Sequence, residues 1–372
     1  MRNIAAKPTC ASRAVRARSC IARAIACGVV ASICACGDRN AQRSEVPPSP
    51  RGNALDRVVE WHGEIELEEN EKVLNVLPYA AVDPHGGFLV WDEQEAQIRQ
   101  YSPEGRLRGY FGRKGDGPKE FQFPRAAIRR ASGTILAFDT YARGAEFDQA
   151  GSAALRTFRT PVGPLHSALL LDDSLVLLGG QVAGSSGDNA PSRLHVWSLA
   201  GNSVRRSFFA PSLSSKVQLL AANTAGFVSA DRRGDVIAAT FSLRDTIYFF
   251  DLQGNPRGQV PMNSQFYRRL SSESPLPSGK GGVVGAREWL GSFSLVSNVF
   301  WVSDDTLIVQ YQDRVGTEPK WRLLGLRRDG SRLFEVVDSP YLIAVDKANG
   351  WLYFVKPGSP TPNFWSRARL RR

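Results

Sequence analysis

Four histidines are the side chains of this chain best suited to acid–base or metal chemistry, because the ordinary pKa of histidine lies near neutral pH. They lie far apart in the sequence, as His62, His85, His166 and His195. A zinc site needs several protein ligands at short range, and no segment supplies such a set. His166 precedes the apolar run SALLL, whereas His85 lies in the turn sequence DPHGG and is expected in solvent. We therefore expect no metal and no cofactor.

The short motifs of common catalytic centres are missing from the sequence. We find no G-x-S-x-G nucleophile elbow, no phosphate-binding P-loop and no H-E-x-x-H zinc motif. Calcium takes a large set of oxygen ligands, and no evident set is present. The sequence accordingly predicts no catalytic residue, and it favours binding over catalysis.

Two stretches have the composition of binding loops. Residues 263–294 combine aromatic side chains with arginines, as recognition sites often do, although a solvated loop anchored by its aromatics would have the same composition. A basic, glycine-rich stretch at residues 112–124 is the second candidate. The candidate binding residues in these two stretches are Phe266, Tyr267, Arg268, Arg269, Arg287, Glu288, Trp289, Arg113, Lys114 and Lys119.

The five cysteines all lie within the first 36 residues, so they do not form a disulfide framework for the rest of the chain. Residues 2–23 are basic and contain no acid, and the apolar run AIACGVVASICAC follows. This run is too short to span a bilayer, which requires about 20 apolar residues. Its length is typical of the apolar region of a secretory signal. We predict a signal peptide over residues 1–35.

The sequence Ile-Cys-Ala-Cys at residues 33–36 resembles the bacterial lipobox. The resemblance implies that Cys36 is lipidated and becomes the first residue of the mature protein. It also implies an exported protein anchored in the envelope, and Gly37 in place of aspartate favours the outer membrane. The alternative is a plain signal peptide that is cut near Ala35 and leaves no lipid. The polar, proline-containing residues 36–54 predict a disordered tether.

The formal net charge of +11 is concentrated at the two ends of the chain. All charged residues of the leader are basic, and the C-terminal sequence RARLRR adds four arginines. The remainder is nearly neutral and has no basic stripe of the kind that binds nucleic acid. We therefore expect a protein or a small molecule as partner, no nucleic acid, and membrane contact through the lipid anchor alone.

Two turn patterns repeat along residues 55–372. Six pairs of short apolar runs are joined by a turn that contains Asp or Gly, as in AAVDPHGGFLVWD. Five further turns place Gly four positions after a large apolar residue, as in Tyr101-SPE-Gly105, where a positive φ is expected. Together they give units of four strands and about 40 to 50 residues, which is typical of β-propeller blades. The turn glycines are 46 to 53 residues apart, except for the 76 between Gly254 and Gly330 that span residues 263–294.

The sequence therefore predicts an all-β, six-bladed β-propeller of four-stranded blades over residues 55–372. The last unit provides only three strands, so residues 55–66 are expected to complete it and to close the ring. Closure removes exposed sheet edges, and we expect a monomer.

The connection GDGPKEFQFP at residues 115–124 resembles the G-x-G-P-G-x-F-x-x-P joint of NHL-type propellers, with Lys119 in the place of a glycine. The chain is also similar to bacterial six-bladed propeller lipoproteins of the NHL-like and TolB-like group. The resemblance implies the fold and export, and it implies little about activity. The lack of an evident catalytic set favours a non-enzymatic binding scaffold. Related six-bladed lactonases hold calcium with Glu, Asn and Asp, for which no matching set is found. A hydrolase or lyase at the mouth of the channel stays the alternative.

Overall fold

The structure is a computed structural model. It describes residues 54–69, 74, 79–92, 95–180, 182, 192–210, 226–231, 233–270, 288–315, 318–359 and 361–371. The predicted signal peptide and Cys36 lie outside these residues, and so does Arg287.

Within the described residues, the strands form six four-stranded antiparallel sheets and one two-stranded sheet. The chain begins with a 3-10 turn at Ala54–Arg57 and strand β1 at Val59–Glu66. Blades 1 to 5 are then built consecutively, each from four successive strands, with the first strand innermost. Blade 6 takes its first three strands from the C-terminus and its outermost strand from β1. This is the predicted six-bladed propeller with the predicted closure.

The first three blades have short strands. Blade 1 contains β2 (Tyr79–Val82), β3 (Phe88–Asp92), β4 (Gln97–Tyr101) and β5 (Leu107–Phe111). The connection to blade 2 contains β6 (Arg113–Lys114) and β7 (Glu120–Phe121), which pair in parallel. Blade 2 contains β8 (Pro124–Arg129), β9 (Ile135–Asp139), β10 (Arg143–Phe147) and β11 (Ala154–Arg159). Blade 3 contains β12 (Ser167–Leu170), β13 (Leu175–Gly179), β14 (Leu194–Ser198) and β15 (Ser203–Phe208).

The last three blades include the longest strands of the described chain. Blade 4 contains β16 (Gly226–Ala230), β17 (Val236–Phe241), β18 (Thr246–Asp251) and β19 (Pro256–Pro261). Blade 5 contains β20 (Leu295–Trp301), β21 (Thr306–Val315), β22 (Glu318–Arg327) and β23 (Arg332–Ser339). Blade 6 contains β24 (Leu342–Asp346), β25 (Trp351–Val355) and β26 (Phe364–Leu370), to which β1 adds.

The strand sequences match their depth in a blade. Every residue of β9 is buried, because a middle strand is covered on both faces by the neighbouring blades. The outermost strand β11 instead alternates half-buried and exposed residues, since one face of it meets solvent. The core lies between neighbouring blades. Phe138 of blade 2 and Trp197 of blade 3, for example, meet edge-on with ring centroids 6.2 Å apart.

Most of the predicted turn glycines have the expected left-handed backbone. Gly105 has a φ of +89°, and a Cβ there would lie 2.2 Å from the carbonyl oxygen of Glu66, so only glycine fits. The turn of blade 3 differs from the expectation. Gly201 is not among the residues with positive φ, and the next residue, Asn202, takes the left-handed conformation with φ +44°. Asparagine tolerates this conformation better than most residues, which explains the shift by one position.

Antiparallel strands place related loops on one face of the ring. We call the face at which every innermost strand begins the upper face, and the opposite one the lower face. Connections between blades begin and end on the upper face. Both candidate binding stretches are such connections, since residues 112–123 join β5 to β8 and residues 262–294 join β19 to β20. Both stretches therefore begin and end on the same face.

Ring closure is made by an antiparallel pair between β1 and β26, from Val59 opposite Leu370 to Glu66 opposite Phe364. Leu55 and Val59 are fully buried in a core cluster with residues of blades 5 and 6. Ile65 and Leu67 are buried in a second cluster, between blades 6 and 1. The N-terminal segment thus contributes to the core on both sides of blade 6.

We predict that a chain beginning at residue 68 loses the fold or associates with other chains. The deletion removes four buried apolar side chains, each of which stabilises the fold by about 1.5–3 kcal/mol, from a protein stable by about 5–15 kcal/mol. It also exposes β26 as a free edge. Melting temperature and light scattering, compared with the full chain, test this. A monomer with the melting temperature of the full chain would contradict the closure argument.

Candidate functional site

A cavity of about 420 Å³ lies at the axis of the propeller, and the innermost strands of all six blades line it. Its walls are mainly apolar and include Ala80, Ala127, Ala168, Val228 and Phe300. Three of these side chains are alanines, because the blades converge on the axis and leave little room. Each innermost strand pairs with one neighbour only, so its other edge turns backbone N–H and C=O groups toward the cavity.

Polar side chains gather at the upper end of this cavity, at the start of three consecutive innermost strands. Tyr79 begins β2, Arg125 is the second residue of β8, and His166 immediately precedes β12. The Arg125 Nε donates to Thr140 Oγ1 at 2.9 Å, and its Nη1 donates to the Tyr79 hydroxyl at 3.1 Å. The guanidinium carbon also lies 5.6 Å from the centroid of the Tyr79 ring. Arg125 is therefore held in one orientation and is only 7% exposed.

His166 is the buried titratable group of this cluster. Its backbone N–H donates to the carbonyl of Gly179, but its Nδ1 has no hydrogen-bond partner among the residues that the structure describes. Burial is the main cause that lowers the pKa of His166 to about 3, and the positive charges of Arg125 and Arg193 contribute to the same shift. The imidazole is consequently neutral at physiological pH. A buried nitrogen without a partner is costly unless water or a ligand meets it.

The lower end of the cavity is held together by its own contacts. The Arg129 Nε lies 2.7 Å from Asp83 Oδ2 in an ion pair between blades 2 and 1 that is almost fully buried. The Lys347 ammonium of blade 6 donates to the backbone carbonyls of Ala230 and Asp231 of blade 4, at 3.2 and 2.9 Å. Burial lowers the pKa of Lys347. Because blade 5 separates blades 4 and 6, this side chain links second neighbours in the ring.

The four histidines occupy four different surroundings. His166 lines the cavity as the sequence suggested, and His85 is exposed in its turn. His62 lies on β1 and packs edge-on against Trp351, with ring centroids 5.0 Å apart. His195 is buried on β14, with its Nδ1 2.8 Å from the hydroxyl of Ser207. Over the described part of the chain, no three His, Cys, Asp or Glu side chains group in a way that could hold a metal ion.

Two of the aromatic candidates between blades 4 and 5 are core residues. Tyr267 is buried, its hydroxyl donates to the carbonyl of Ser242 at 3.3 Å, and its ring packs edge-on against Tyr311. Trp289 lies in a single helical turn at residues 288–291 and is buried in an apolar cluster of the upper face. That cluster contains Leu243, Trp289, Leu290, Phe293 and Leu295. These two aromatics anchor the connection to the blades.

The polar candidates of the same connection are ion-paired but reachable. The Arg268 Nε lies 3.3 Å from Asp313, and the Arg269 Nε lies 2.6 Å from Asp245, with about half of each side chain exposed. Phe266 is 37% exposed, with the Arg322 guanidinium 4.8 Å above its ring. Glu288 is exposed. A binding role for these residues stays a prediction, and Arg287 lies outside the described residues.

The connection between blades 1 and 2 is a tight, ion-paired loop. Arg113 is paired with Glu120 at 2.7 Å, and Glu120 Oε2 also accepts the backbone N–H of Gly117. Lys119 has a φ of +68°, in the conformation that the corresponding glycine of NHL-type joints would adopt freely. Lys114 is exposed. A second cavity, of about 490 Å³, lies beside this loop and includes Lys119 in its wall.

The sequence reasoning missed Tyr79, Arg125, the Arg129–Asp83 pair and Lys347. A usable signal was present for Arg125, which directly follows the Pro124 that starts an innermost strand. Aligning the starts of the innermost strands of blades 1 and 3 with that of blade 2 would have placed Tyr79 and His166 beside Arg125, at the same level along the axis. The ion pair and the lysine contact join distant turns, and no local pattern points to them.

Comparison with known proteins supports the fold. A solved member of the DUF4221 family from Bacteroides vulgatus superposes with a TM-score of 0.59 over 84% of this chain and 97% of that chain, at 11% identity. A Bacteroides fragilis protein that is provisionally described as exported superposes with a TM-score of 0.61 over 86% and 97%, also at 11% identity. At this identity the likeness establishes the fold only. No protein-family model matches the chain, and no curated protein matches it in sequence.

His166 should make the stability of the protein depend on pH. Its folded pKa of about 3 lies below the ordinary histidine value of 6.5, so the unfolded chain binds more protons as the pH falls through this window. The free energy of unfolding should decrease by up to about 1.4 kcal/mol per pH unit below pH 6.5 and level off near pH 3. Urea unfolding at several pH values measures it.

In His166→Gln this component of the pH dependence should be absent. The matched control is His85→Gln, because His85 is an exposed turn residue. Identical pH profiles for the natural protein and His166→Gln would show that the imidazole is not held neutral in the cavity.

Proposed function

We propose that this protein is an exported, non-enzymatic propeller that binds a small molecule in its axial cavity. The observation that carries the proposal is the cavity itself, lined by all six innermost strands and closed in by apolar side chains. Its volume of about 420 Å³ falls in the range of small-molecule sites. Such sites combine apolar walls with a few fixed polar groups, which is the composition found here.

The polar groups of the cavity are arranged to orient a ligand. Arg125 is fixed by Thr140 and Tyr79, and so it would lose little side-chain freedom when a ligand binds beside it. The His166 Nδ1 has no partner among the described residues and can meet a polar atom of a ligand. Apolar walls supply binding energy, and these two groups supply orientation.

Binding is favoured over a hydrolase or lyase reaction at the channel mouth. General acid–base catalysis usually relies on a carboxylate or a histidine with a pKa near neutrality. None of the described residues that line the cavity is acidic, and burial holds the pKa of His166 far below neutrality. The cluster of Tyr79, Arg125 and His166 thus fits recognition better than proton transfer.

Export and anchoring form the second part of the proposal. The basic leader, the apolar run that ends at Cys36 and the polar tether support an exported lipoprotein, most simply in the outer membrane. The fold likeness to a protein provisionally described as exported agrees with export. Among the described residues, no helix is long and apolar enough to cross a membrane. We propose that the chain belongs with the NHL-like and TolB-like propeller lipoproteins. Two resemblances support this grouping, namely the lipobox-like residues 33–36 and the joint at residues 115–124.

The partners follow from the same reasoning. A ring in which β1 supplies the fourth strand of blade 6, so that no blade lacks a strand, favours a monomer. The nearly neutral body argues against nucleic acid as ligand, and a lipid at Cys36 would make the only membrane contact. A protein partner would meet the upper face, where Phe266, Arg268 and Arg269 are partly exposed.

Filling the cavity should abolish small-molecule binding. We expect the uncharged fluorescent probe N-phenyl-1-naphthylamine to bind the purified full-length protein at one site, with enhanced emission. Val228→Phe adds a ring to the cavity wall and should weaken this binding at least about tenfold, whereas Leu155→Phe, at a side chain 57% exposed on β11, should not. Absence of probe binding to the natural protein, or equal binding by both variants, would contradict the proposal.

The anchor has a separate test. Cys36→Ala removes the thiol at which the resemblance to a lipobox predicts lipidation. Metabolically supplied radiolabelled palmitate should therefore no longer be incorporated into the protein. Cys34→Ala is the matched control and should keep the label. Label in Cys36→Ala would rule out Cys36 as the lipidated residue, and no label in the natural protein would favour the plain signal peptide.

A further inference from the structure

The charge of the axial cavity narrows the class of ligand. Two arginines line it, Arg125 at the upper end and Arg129 at the lower, and none of the described lining residues is acidic. At the lower end, Arg129 pairs with Asp83 at 2.7 Å inside the protein. The side chains of that pair are each 1% exposed, so the positive charge of Arg129 is offset locally.

At the upper end the electrostatic environment is positive. Arg125 and Arg193 both act on His166 in the direction that disfavours its protonation, and no acidic side chain in the described part of the chain acts in the opposite direction. His166 itself is neutral and is 9% exposed. Its Nδ1 is a buried polar atom without a partner in the described chain, and the residue lines the cavity. An anionic group placed here would offset the positive charge, and it would accept a hydrogen bond from the imidazole in the tautomer that carries its proton on Nδ1.

The rest of the cavity is complementary to a ligand whose main part is apolar. Apart from Ser167 and Asn298, the rest of the wall is mainly apolar, and it includes Ala127, Ala168, Val228 and Phe300, which offer contact area and no side-chain hydrogen bonds. A fully polar anion such as inorganic phosphate would leave this surface unused. A ligand with one charged end and an apolar remainder uses both parts of the site.

We infer that the axial cavity binds a small amphipathic carboxylate, with its carboxylate against Arg125 and His166 at the upper end and its apolar body along the channel. This inference rests on the proposed function, because it specifies the ligand of the same cavity. A single carboxylate suits the site, since it matches the planar guanidinium geometry and is small enough to lie beside the imidazole.

Three eight-carbon compounds of equal length test the charge preference. Octanoate, octanol and octylamine are titrated at pH 7 into the full-length protein loaded with N-phenyl-1-naphthylamine, and displacement of the probe is followed by fluorescence. We expect octanoate to bind at least about tenfold more tightly than octanol, because hydrogen bonds to a charged group are stronger than those to a neutral one. Octylamine should bind most weakly, since its ammonium meets like charge.

Variants assign the preference to the upper cluster. In Arg125→Gln the ratio of octanoate affinity to octanol affinity should fall about tenfold, while Arg108→Gln, an exposed arginine of β5, should keep the natural ratio. His166→Leu should lower the same ratio. If Arg125→Gln does not fold, His166→Leu alone tests whether the upper cluster causes the preference for octanoate. Melting curves establish which variants are folded.

The outcomes separate this inference from the proposed function. If the fluorescent probe binds but octanol matches or exceeds octanoate, the cavity is a ligand site and the carboxylate class is wrong. The same conclusion follows if octanoate is preferred but neither Arg125→Gln nor His166→Leu reduces the preference. If the probe itself does not bind the natural protein, the proposed function fails and the inference fails with it.

Discussion

Closure of the ring by β1 is the contact on which the other parts of the structure depend. Blade 6 has three strands from the C-terminus, and its fourth is the first strand of the fold. The buried residues of this N-terminal segment pack into the clusters on both sides of blade 6. Without them the two ends of a long sequence would not be held together, and the blades would lack a common axis. The pairing costs loop-closure entropy once, and it covers the edge of β26 that three strands alone would leave free.

The axial cavity is a direct consequence of this closure. Six innermost strands meet at the axis, and each turns an unpaired edge inward, so the interior cannot be packed as tightly as the space between blades. Small side chains such as Ala80, Ala127 and Ala168 line the resulting space. The lower end is reinforced by the Arg129–Asp83 pair and by Lys347, while the upper end collects Tyr79, Arg125 and His166. The same geometry that creates the void thus gives it two chemically different ends.

The loops of the upper face show how a long connection serves two roles. Tyr267 and Trp289 bury their rings against blades 4 and 5, so the described ends of the 263–294 connection are part of the framework. Phe266, Arg268 and Arg269 lie next to these anchors and keep part of their surface in solvent. In a propeller the strands are occupied by packing, and recognition by a macromolecule falls to such loops. These loops and the polar upper end of the cavity therefore lie on the same face of the ring.

The sequence by itself determined the blades, because strand and turn patterns are local. Turn residues such as Gly105 and Gly330 and the short apolar runs predicted six four-stranded units, and the missing strand of the last unit predicted the role of β1. Among the five predicted turn glycines, all of them in the described part of the chain, Gly201 departed from this pattern, with the positive φ at Asn202 instead. The candidate site depended on the tertiary structure. Tyr79 and Arg125 are 46 residues apart and meet only because consecutive blades repeat the same register around an axis. Likewise, whether an aromatic residue such as Trp289 is a contact surface or a core anchor is decided by what packs on it, and that information is not local.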